Sequence, residues 1–236
     1  MRVVAIIPAA GVGRRMGGAV EKQFLCLGGV PIVAHTLGVF QRSPLVDGVV
    51  LVVASHQRSH LTEKVLEPYS SEKLIAVVDG GRERQDSVAF GLGAVPPECE
   101  LVVVHDGARP LLSHELLVSV LEAAQVHGAA LAATPAGDTV KRTKDGLVTE
   151  TLERDTIWLA QTPQAFHAGL IRKAYKEAVK AQITSTDDAA LVERLGVAIH
   201  VVPGSSENIK VTTPADLIVA EALLAVRTTS SESGGR

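Results

Sequence analysis

The residues best suited to chemistry form a loop near the N-terminus, which reads PAAGVGRRMGG from Pro8 to Gly18. Small residues let the backbone approach a ligand closely, and consecutive backbone N–H groups can hold phosphate oxygens. Arg15 and Lys22 add positive charge close to this loop, whereas Arg14 is expected to be solvated. The loop lacks the Gly-Lys-Ser/Thr ending of a P-loop, and Met16 stands where the dinucleotide fingerprint has its third glycine. We therefore predict that Arg15 and Lys22 bind phosphate in a loop of another kind.

Two further loops place polar residues directly after apolar runs. The first reads GGRERQDSV, and its Ser87 can exchange hydrogen bonds with a base edge. The second reads HDGARP, in which Asp106 suits a ribose hydroxyl or a metal ion and His105 is expected to be structural. Arg109 suits a phosphate because its planar guanidinium offers paired donors. Ordinary helix capping in the first loop and an Asp106–Arg109 turn pair in the second remain open as alternatives.

More candidate positions lie towards the C-terminus, and each of them alone has an ordinary structural explanation. Thr186 and the acids after it, for example, look like a helix cap with charges favoured by the helix dipole. The chain has 23 Lys and Arg against 26 Asp and Glu, yet it places basic residues in successive loops. This arrangement indicates a phosphate-rich pair of substrates. The other candidates are Thr139, Arg154, Thr162 and Lys210.

These loops need a scaffold, and the apolar runs predict one. Short apolar runs alternate with longer helix-like stretches, which indicates βαβ units, a mostly parallel sheet and ligands at the carboxyl ends of its strands. The predicted strands cover residues 3–7, 49–53, 74–78, 101–104, 129–133 and 198–202. Predicted helices cover residues 30–41, 83–95, 111–127 with a cap near Ser113, and 213 to about 226 with Thr213 as its cap.

One segment departs from this pattern. Residues 138–152 read DTVKRTKDGLVTETL, two polar, β-prone arms around Asp145-Gly146, which is a hairpin turn signal. An isolated hairpin is marginally stable, so we expect this one to project and pack, with a second subunit or an ordinary surface position equally open. The polar residues 228–236 are predicted to be a disordered tail. Residues 1–227 would then form a single domain with an arm at about 137–155.

The composition excludes several classes of protein. Of 236 residues, 46% are hydrophobic and only 3% aromatic, which favours a core of aliphatic parallel strands. The net charge of −3 disfavours a nucleic-acid binder. No run approaches the roughly 18 apolar residues of a membrane span, and no signal-peptide core precedes Pro8. Cys26 and Cys99 lack zinc-ligand spacing and are expected to be reduced thiols. We therefore expect a cytoplasmic protein.

Taken together, the motifs resemble those of the 2-C-methyl-D-erythritol 4-phosphate cytidylyltransferase family from Val3 to about Val226. Each is weak alone, but the ordered set is highly specific. The segments are PAAGVGRRM, EKQF, GGRERQDSV, VHDGARP, DTVKR, QTPQAF, STDDAALVE and NIKVTTPADL. The resemblance implies a three-layer, Rossmann-like nucleotidyltransferase fold with a projecting β-hairpin arm. It also implies a reaction of non-mevalonate isoprenoid biosynthesis, in which CTP and methylerythritol phosphate are joined with Mg²⁺ and pyrophosphate is released.

The resemblance also assigns roles to residues of this chain. The catalytic residues would be Arg15, Lys22, Arg154 and Lys210. The nucleotide would be bound by Pro8, Ala9, Ala10, Gly11, Gly13, Gly81, Ser87, Asp106 and Gly107. The polyol phosphate would be surrounded by Arg109, Thr139, Arg154, Thr162, Thr186 and Lys210. In the homodimer that the resemblance implies, the arm crosses between subunits, so Thr139 and Arg154 would act in the neighbouring site.

Some features leave alternatives open. Glu21 and Arg82 depart from the residues that are common in the family at these positions. The protein ligands of the metal are not assigned, since the phosphates of the substrate can supply most of the ligands of Mg²⁺. Asp106 or Asp216 could supply a further ligand. A ribitol 5-phosphate cytidylyltransferase shares the nucleotide loops, and the TPQAF and STDDA segments do not decide between the two acceptors. A non-catalytic nucleotide-binding protein is the third reading, against which the retained basic residues argue.

Overall fold

The computed structural model describes residues 2–11, 24–69 and 72–233. Arg14, Arg15, Glu21, Lys22 and the other residues of 12–23 lie outside the described residues. The strands, in chain order, are β1 (Val3–Pro8), β2 (Cys26–Leu27), β3 (Val30–Pro31), β4 (Gly48–Val53), β5 (Leu74–Asp79), β6 (Leu101–Val104), β7 (Ala129–Pro135), β8 (Lys141–Lys144), β9 (Leu147–Thr151), β10 (Trp158–His167) and β11 (His200–Pro203). The α-helices are α1 (Ile32–Arg42), α2 (Arg58–Leu61), α3 (Arg84–Ala94), α4 (His114–His127), α5 (Ala168–Lys180), α6 (Ala189–Glu193) and α7 (Pro214–Ser233).

Seven strands form one sheet in the order β11-β7-β10-β6-β1-β4-β5. All six predicted strands belong to it, and β1 pairs in parallel with both β4 and β6. The prediction of a mostly parallel α/β sheet is therefore confirmed. The strand β10 was not predicted, because its sequence includes the polar stretch Gln161–Gln164 and a proline. It runs antiparallel to β6 and β7, between which its second half is buried.

Helices cover both faces of the sheet and give three layers. Side chains alternate along each strand, so Val3, Ala5 and Ile7 contribute to one core with α1 and α4. Val4 and Ile6 contribute to the opposite core with α3, α5 and α6. This division follows from the two-residue period of a strand and explains why the central runs are apolar without interruption.

The predicted helix caps are present. Ser113 accepts a hydrogen bond from the backbone N–H of Leu116 at 3.2 Å, and Thr213 accepts one from that of Asp216 at 3.3 Å. Asp216 accepts in return from the N–H of Thr213 at 2.8 Å. Reciprocal bonds of this kind satisfy donors that a helix start leaves free.

The end predicted for the last helix, at about Val226, is wrong, because α7 continues to Ser233. Residues 228–233, predicted to belong to a disordered tail, are therefore helical. The hydroxyl of Thr228 donates to the carbonyl of Leu224 at 3.0 Å, and Arg227 pairs with Glu207 at 2.8 Å. These contacts tie the polar end of the helix to its preceding turn and to a neighbouring loop. None of the helices in the described ranges has the length and hydropathy required to cross a bilayer.

The predicted hairpin is also present. Strands β8 and β9 pair antiparallel, and both turn residues have left-handed backbone angles, with φ of 51° at Asp145 and 81° at Gly146. A two-residue turn of this kind matches the twist of the flanking strands. Every residue of both strands is exposed in the single chain. In the single chain the two strands therefore pair with each other, and none of their residues belongs to the buried core.

Candidate active site

A cavity of about 460 Å³ opens at the carboxyl ends of β1, β4, β5 and β6. It is lined by residues 8–11, 81–84 and 106–108, together with Ala54, Ser87 and Lys210. Because the carboxyl ends of parallel strands meet at one edge of a sheet, loops far apart in the sequence converge there. This is the edge at which the sequence analysis predicted the ligand.

The small residues of the first loop permit close packing with the two neighbouring loops. Backbone N–H groups of Ala9 and Gly107 donate to Val52 at 2.7 Å and Pro8 at 3.1 Å, respectively. A Cβ atom on Gly80 would lie only 2.3 Å from the Cβ of Ala10. A side chain at position 80 would therefore displace Ala10, which lines the cavity.

Ser87 helps to shape the second loop. Its hydroxyl accepts from the N–H of Gly81 at 3.1 Å and donates to the carbonyl of Glu83 at 3.2 Å. Glu83 in turn donates its N–H to the carboxylate of Asp86 at 3.0 Å. The capping alternative is thus present in the structure, and Ser87 still lines the cavity.

Asp106 is the centre of charge in the third loop. Its Oδ2 lies 2.6 Å from Nζ of Lys210, its Oδ1 lies 3.0 Å from Nε of Arg84, and Arg109 Nε is 3.9 Å away. Burial alone would raise the pKa of Asp106, but these three cations outweigh it and hold that pKa well below its ordinary value. Asp106 is therefore a carboxylate at neutral pH, and it can only accept hydrogen bonds.

Thr162 connects the backbone of Asp106 to the side chain of His105. Thr162 Oγ1 accepts from the N–H of Asp106 at 3.0 Å and lies 3.1 Å from Nδ1 of His105. His105 is fully buried, and that burial lowers its pKa to about 4. A neutral, enclosed imidazole agrees with the structural role expected for His105.

Arg109 does not line the cavity. Its guanidinium donates from Nη1 to the carbonyl of Asn208 at 2.6 Å, and its backbone N–H donates to Asp106 at 3.0 Å, so the predicted turn pair exists. The N–H of Val211 donates to Ala108 at 2.8 Å. Arg109 and Val211 thereby fix the segment that carries Lys210 into the cavity.

The structure brings together many of the predicted site residues. Those lining the cavity are Pro8, Ala9, Ala10, Gly11, Gly81, Ser87, Asp106, Gly107 and Lys210. Arg109 and Thr162 support it from beneath. Thr139, Arg154 and Thr186 are exposed and do not line it, with Thr139 and Arg154 in or beside the arm. Gly13, Arg15 and Lys22 lie outside the described residues.

The sequence analysis missed Arg84, which lines the cavity and bridges Asp106 to Asp188. It also missed Gln164, whose side-chain amide donates to Asp187 at 3.0 Å and accepts from the N–H of Ala189 at 3.0 Å. The sequence pattern predicts cap charges at Asp187 and Asp188. Asp187 does accept from the N–H of Ala190 at 3.0 Å, whereas Asp188 is fully buried. The role of Asp188 as a buried partner of Arg84 can be recognised only in the folded chain.

No cluster of three or more His, Cys, Asp or Glu residues suited to a metal ion occurs within the described parts of the chain. The cavity offers the carboxylates of Asp106 and Glu83, and both oxygens of Asp106 already face cations. Asp216 is engaged in its helix cap, where its Oδ2 accepts from Thr212 and Thr213. A metal ion brought in by substrate phosphates fits these residues better than one held by the protein alone.

Comparison with known proteins identifies the family that this chain resembles. The family model of 2-C-methyl-D-erythritol 4-phosphate cytidylyltransferase (IspD) matches residues 3–226. The protein of that name from Syntrophus aciditrophicus is 51% identical over 224 residues, 94% of this chain and 96% of the relative. The one from Geobacter metallireducens is 47% identical over 227 residues, 95% and 98% of the two chains.

Solved structures point the same way. That of 4-diphosphocytidyl-2C-methyl-D-erythritol synthase from Anaerococcus prevotii superposes with a TM-score of 0.83 at 35% identity, covering 95% of this chain and 96% of the other. The Thermus thermophilus 2-C-methyl-D-erythritol 4-phosphate cytidylyltransferase gives 0.78 at 35%, covering 94% and 98%. These structures share the Rossmann-like nucleotidyltransferase fold. With a family match over nearly its whole length, this chain belongs to the 2-C-methyl-D-erythritol 4-phosphate cytidylyltransferase family.

Proposed function

We propose that this protein transfers CMP from CTP to 2-C-methyl-D-erythritol 4-phosphate, forming 4-diphosphocytidyl-2-C-methyl-D-erythritol and releasing pyrophosphate. The observation that carries this proposal is the convergence of Lys210 and Arg84 on Asp106 in a cavity walled by small residues. A carboxylate acceptor suits a ribose hydroxyl, and the cations suit phosphates.

The reaction poses a problem of charge and position. The acceptor is a phosphate monoester with roughly −2 charge, and it must approach a negatively charged triphosphate in line with the α-phosphate. An ionised phosphate oxygen attacks the α-phosphorus, the bond from that phosphorus to the β-phosphate bridging oxygen breaks, and pyrophosphate leaves with the electron pair. No general base is required, which agrees with the enclosed position of His105.

The residues divide this task between them. Residues 8–11, together with Gly81 and Ser87, would bind the base and phosphates, and Asp106 would accept from the ribose. Lys210 would hold the acceptor phosphate, with Arg109 fixing its segment from beneath. We assign to Arg15 and Lys22 the stabilisation of negative charge that builds up at the α-phosphate in the transition state.

We further propose that Mg²⁺ binds with the CTP phosphates. When bound, the ion would neutralise charge on the triphosphate. Glu83 at the cavity wall is the carboxylate available to such an ion or to its water shell, because both oxygens of Asp106 already face cations.

We place the reaction in the cytoplasm, and the two unpaired cysteines, Cys26 and Cys99, support a reducing compartment.

We also propose a homodimer built through the arm. Leu147, Val148, Trp158 and Leu159 are large apolar side chains that are exposed on or beside it in the single chain. A partner subunit that covers them would bring Thr139 and Arg154 to the neighbouring cavity. Mixing Lys210→Ala and Arg154→Ala subunits tests this proposal, since a mixed dimer then holds one intact site. Activity well above that of either variant is expected, and no recovery despite subunit exchange would contradict shared sites.

A substrate panel tests the function itself. Pyrophosphate release is measured with Mg²⁺ and CTP, offering methylerythritol phosphate and ribitol 5-phosphate separately, with ATP, GTP and UTP as nucleotide controls. We expect release with CTP and methylerythritol phosphate. A preference for ribitol 5-phosphate would move the protein to the alternative acceptor, and CTP binding without release from any pair would favour a non-catalytic nucleotide-binding protein.

A further inference from the structure

From Asp106 a chain of polar side chains, Arg84, Asp188 and Tyr175, runs behind the cavity and takes no part in the proposed transfer step. Arg84 bridges two carboxylates, donating from Nε to Asp106 Oδ1 at 3.0 Å and from Nη2 to Asp188 Oδ2 at 2.8 Å. The other oxygen of Asp188 accepts from the hydroxyl of Tyr175. The chain therefore runs from α5 through Arg84 to the ribose-facing carboxylate.

The charged members of this chain differ in how far they are buried. The side chain of Arg84 is 25% exposed, that of Asp106 is 10% exposed, and that of Asp188 is fully buried. An ion pair of this kind is weak evidence for stability, since well-packed apolar residues often serve as well. Its geometry offers a different advantage. Arg84 has donors fixed in a plane, and Asp188 is held at both oxygens, so these contacts restrain the orientation in which the guanidinium presents Nε to Asp106.

Asp106 keeps accepting capacity for a ligand. A carboxylate has about four lone-pair sites, and Arg84 and Lys210 each occupy one. The direction in which the remaining lone pairs point is set by the plane of the carboxylate. Arg84 restrains this plane from one side, while Thr162 accepts a hydrogen bond from the backbone N–H of Asp106.

We propose that Arg84 is a positioning residue for ribose recognition: held from behind by Asp188 and Tyr175, it orients the Asp106 carboxylate to accept from a ribose hydroxyl of CTP. This inference rests on the proposed function in taking CTP as the ligand. Arg84 touches the carboxylate and not the reacting atoms, so its effect should appear in nucleotide selectivity.

The test compares dissociation constants for CTP, 2′-deoxy-CTP and 3′-deoxy-CTP, measured by calorimetry without acceptor. We expect the wild type to prefer CTP over at least one deoxy analogue. Tyr175→Phe removes one hydroxyl from the buried chain, and Arg84→Lys keeps the charge but cannot span both carboxylates. Both variants should lose about tenfold of that preference, the size of one charge-assisted hydrogen bond. Thermal unfolding establishes that each variant is folded.

Gln85 provides the matched control. Its amide donates to the carbonyl of Ile183 at 2.9 Å and accepts from the N–H of Ser185 at 2.8 Å, so it joins the same helix turn to the same loop without touching Asp106. Gln85→Met should leave the selectivity unchanged. An equal loss in this variant would reduce Arg84 to a structural attachment and overturn the proposal.

Two other results would also overturn the inference: full selectivity in folded Arg84→Lys and Tyr175→Phe, or equal wild-type affinity for all three nucleotides. These outcomes are distinct from failure of the proposed function, which would appear as absent wild-type turnover with CTP and methylerythritol phosphate.

Discussion

Nζ of Lys210 lies 2.6 Å from Oδ2 of Asp106. The residue assigned to the acceptor phosphate and the residue assigned to the ribose therefore form one ion pair in the wall of the cavity. Their segments are separated by about a hundred positions in the chain, and the hydrogen bond from Val211 to Ala108 joins them. Both substrates would consequently meet at this pair.

Removing the Lys210 ammonium should weaken transfer. We expect Lys210→Ala to lower the turnover number on the order of a hundredfold, by analogy with the loss of one donor from an oxyanion site. The measurement is pyrophosphate release at saturating CTP over a range of acceptor concentrations. Lys180→Ala is the control, because Lys180 also pairs with a carboxylate, Glu177 at 2.7 Å, but lies on the exposed side of α5. Similar rates for the two variants would contradict the role of Lys210.

The N-terminal loop permits a comparison between neighbouring basic residues. Lys22→Ala and Arg15→Ala should each lower turnover strongly while the chain still folds, since both are assigned to charge at the α-phosphate. Arg14→Ala should have little effect, because Arg14 is expected to be solvated. Steady-state rates and circular dichroism spectra check all three variants. Near-normal turnover in Lys22→Ala would remove that residue from the mechanism.

The close contact between Gly80 and Ala10 predicts sensitivity to a single methyl group. In Gly80→Ala the new Cβ would lie 2.3 Å from the Cβ of Ala10, so the two cavity loops must move apart. We expect CTP affinity to fall about tenfold, in line with typical costs of overpacking. Gly93→Ala, on α3, meets nothing within 4 Å and should bind CTP normally. Calorimetric titration measures the affinity of both variants for CTP. An unchanged affinity in Gly80→Ala would contradict the observed packing.

The buried imidazole of His105 predicts a pH dependence of stability. Burial lowers its pKa from 6.5 to about 4, so the unfolded chain binds a proton between these values that the folded chain does not. The contribution of His105 to the free energy of unfolding is therefore complete above pH 6.5 and falls as the pH is lowered towards 4.

Urea unfolding of the wild type and of His105→Gln at pH 7 and pH 5 checks this prediction. The wild type should lose about 2 kcal/mol more than the variant between these values, as expected for one proton at 1.36 kcal/mol per pH unit. Equal losses in both proteins would show that His105 titrates normally. Other titrating groups contribute alike to both proteins and cancel in the difference.

The scaffold was predictable because the strands that build it are buried on both faces. Runs such as Val3–Ile7 and Leu101–Val104 contain no polar residue, and their length of four or five residues favours a buried strand over a helix. The antiparallel β10 escaped prediction for the opposite reason. Its polar residues Gln161, Thr162 and Gln164 are needed to bind neighbouring loops, so they interrupt the apolar pattern.

The site was predictable only in part. Gly80, Asp106 and Lys210 belong to short motifs that follow strands, and the parallel sheet brings such loops together. The pairing of Arg84 with Asp188 spans 104 positions and depends on how α3 and α6 pack on the same face. No local pattern encodes this contact, since a buried Asp and a capping Asp look alike in a sequence.

The most direct test of the account follows the oxygen atoms of the acceptor. Methylerythritol phosphate carrying ¹⁸O in its non-bridging phosphate oxygens is incubated with unlabelled CTP, Mg²⁺ and the protein, and both products are analysed by mass spectrometry. Attack by the acceptor phosphate on the α-phosphorus of CTP predicts that all the label stays in the CDP-linked product and that pyrophosphate carries none. Label in the pyrophosphate, or no CDP-linked product, would contradict the proposed transfer.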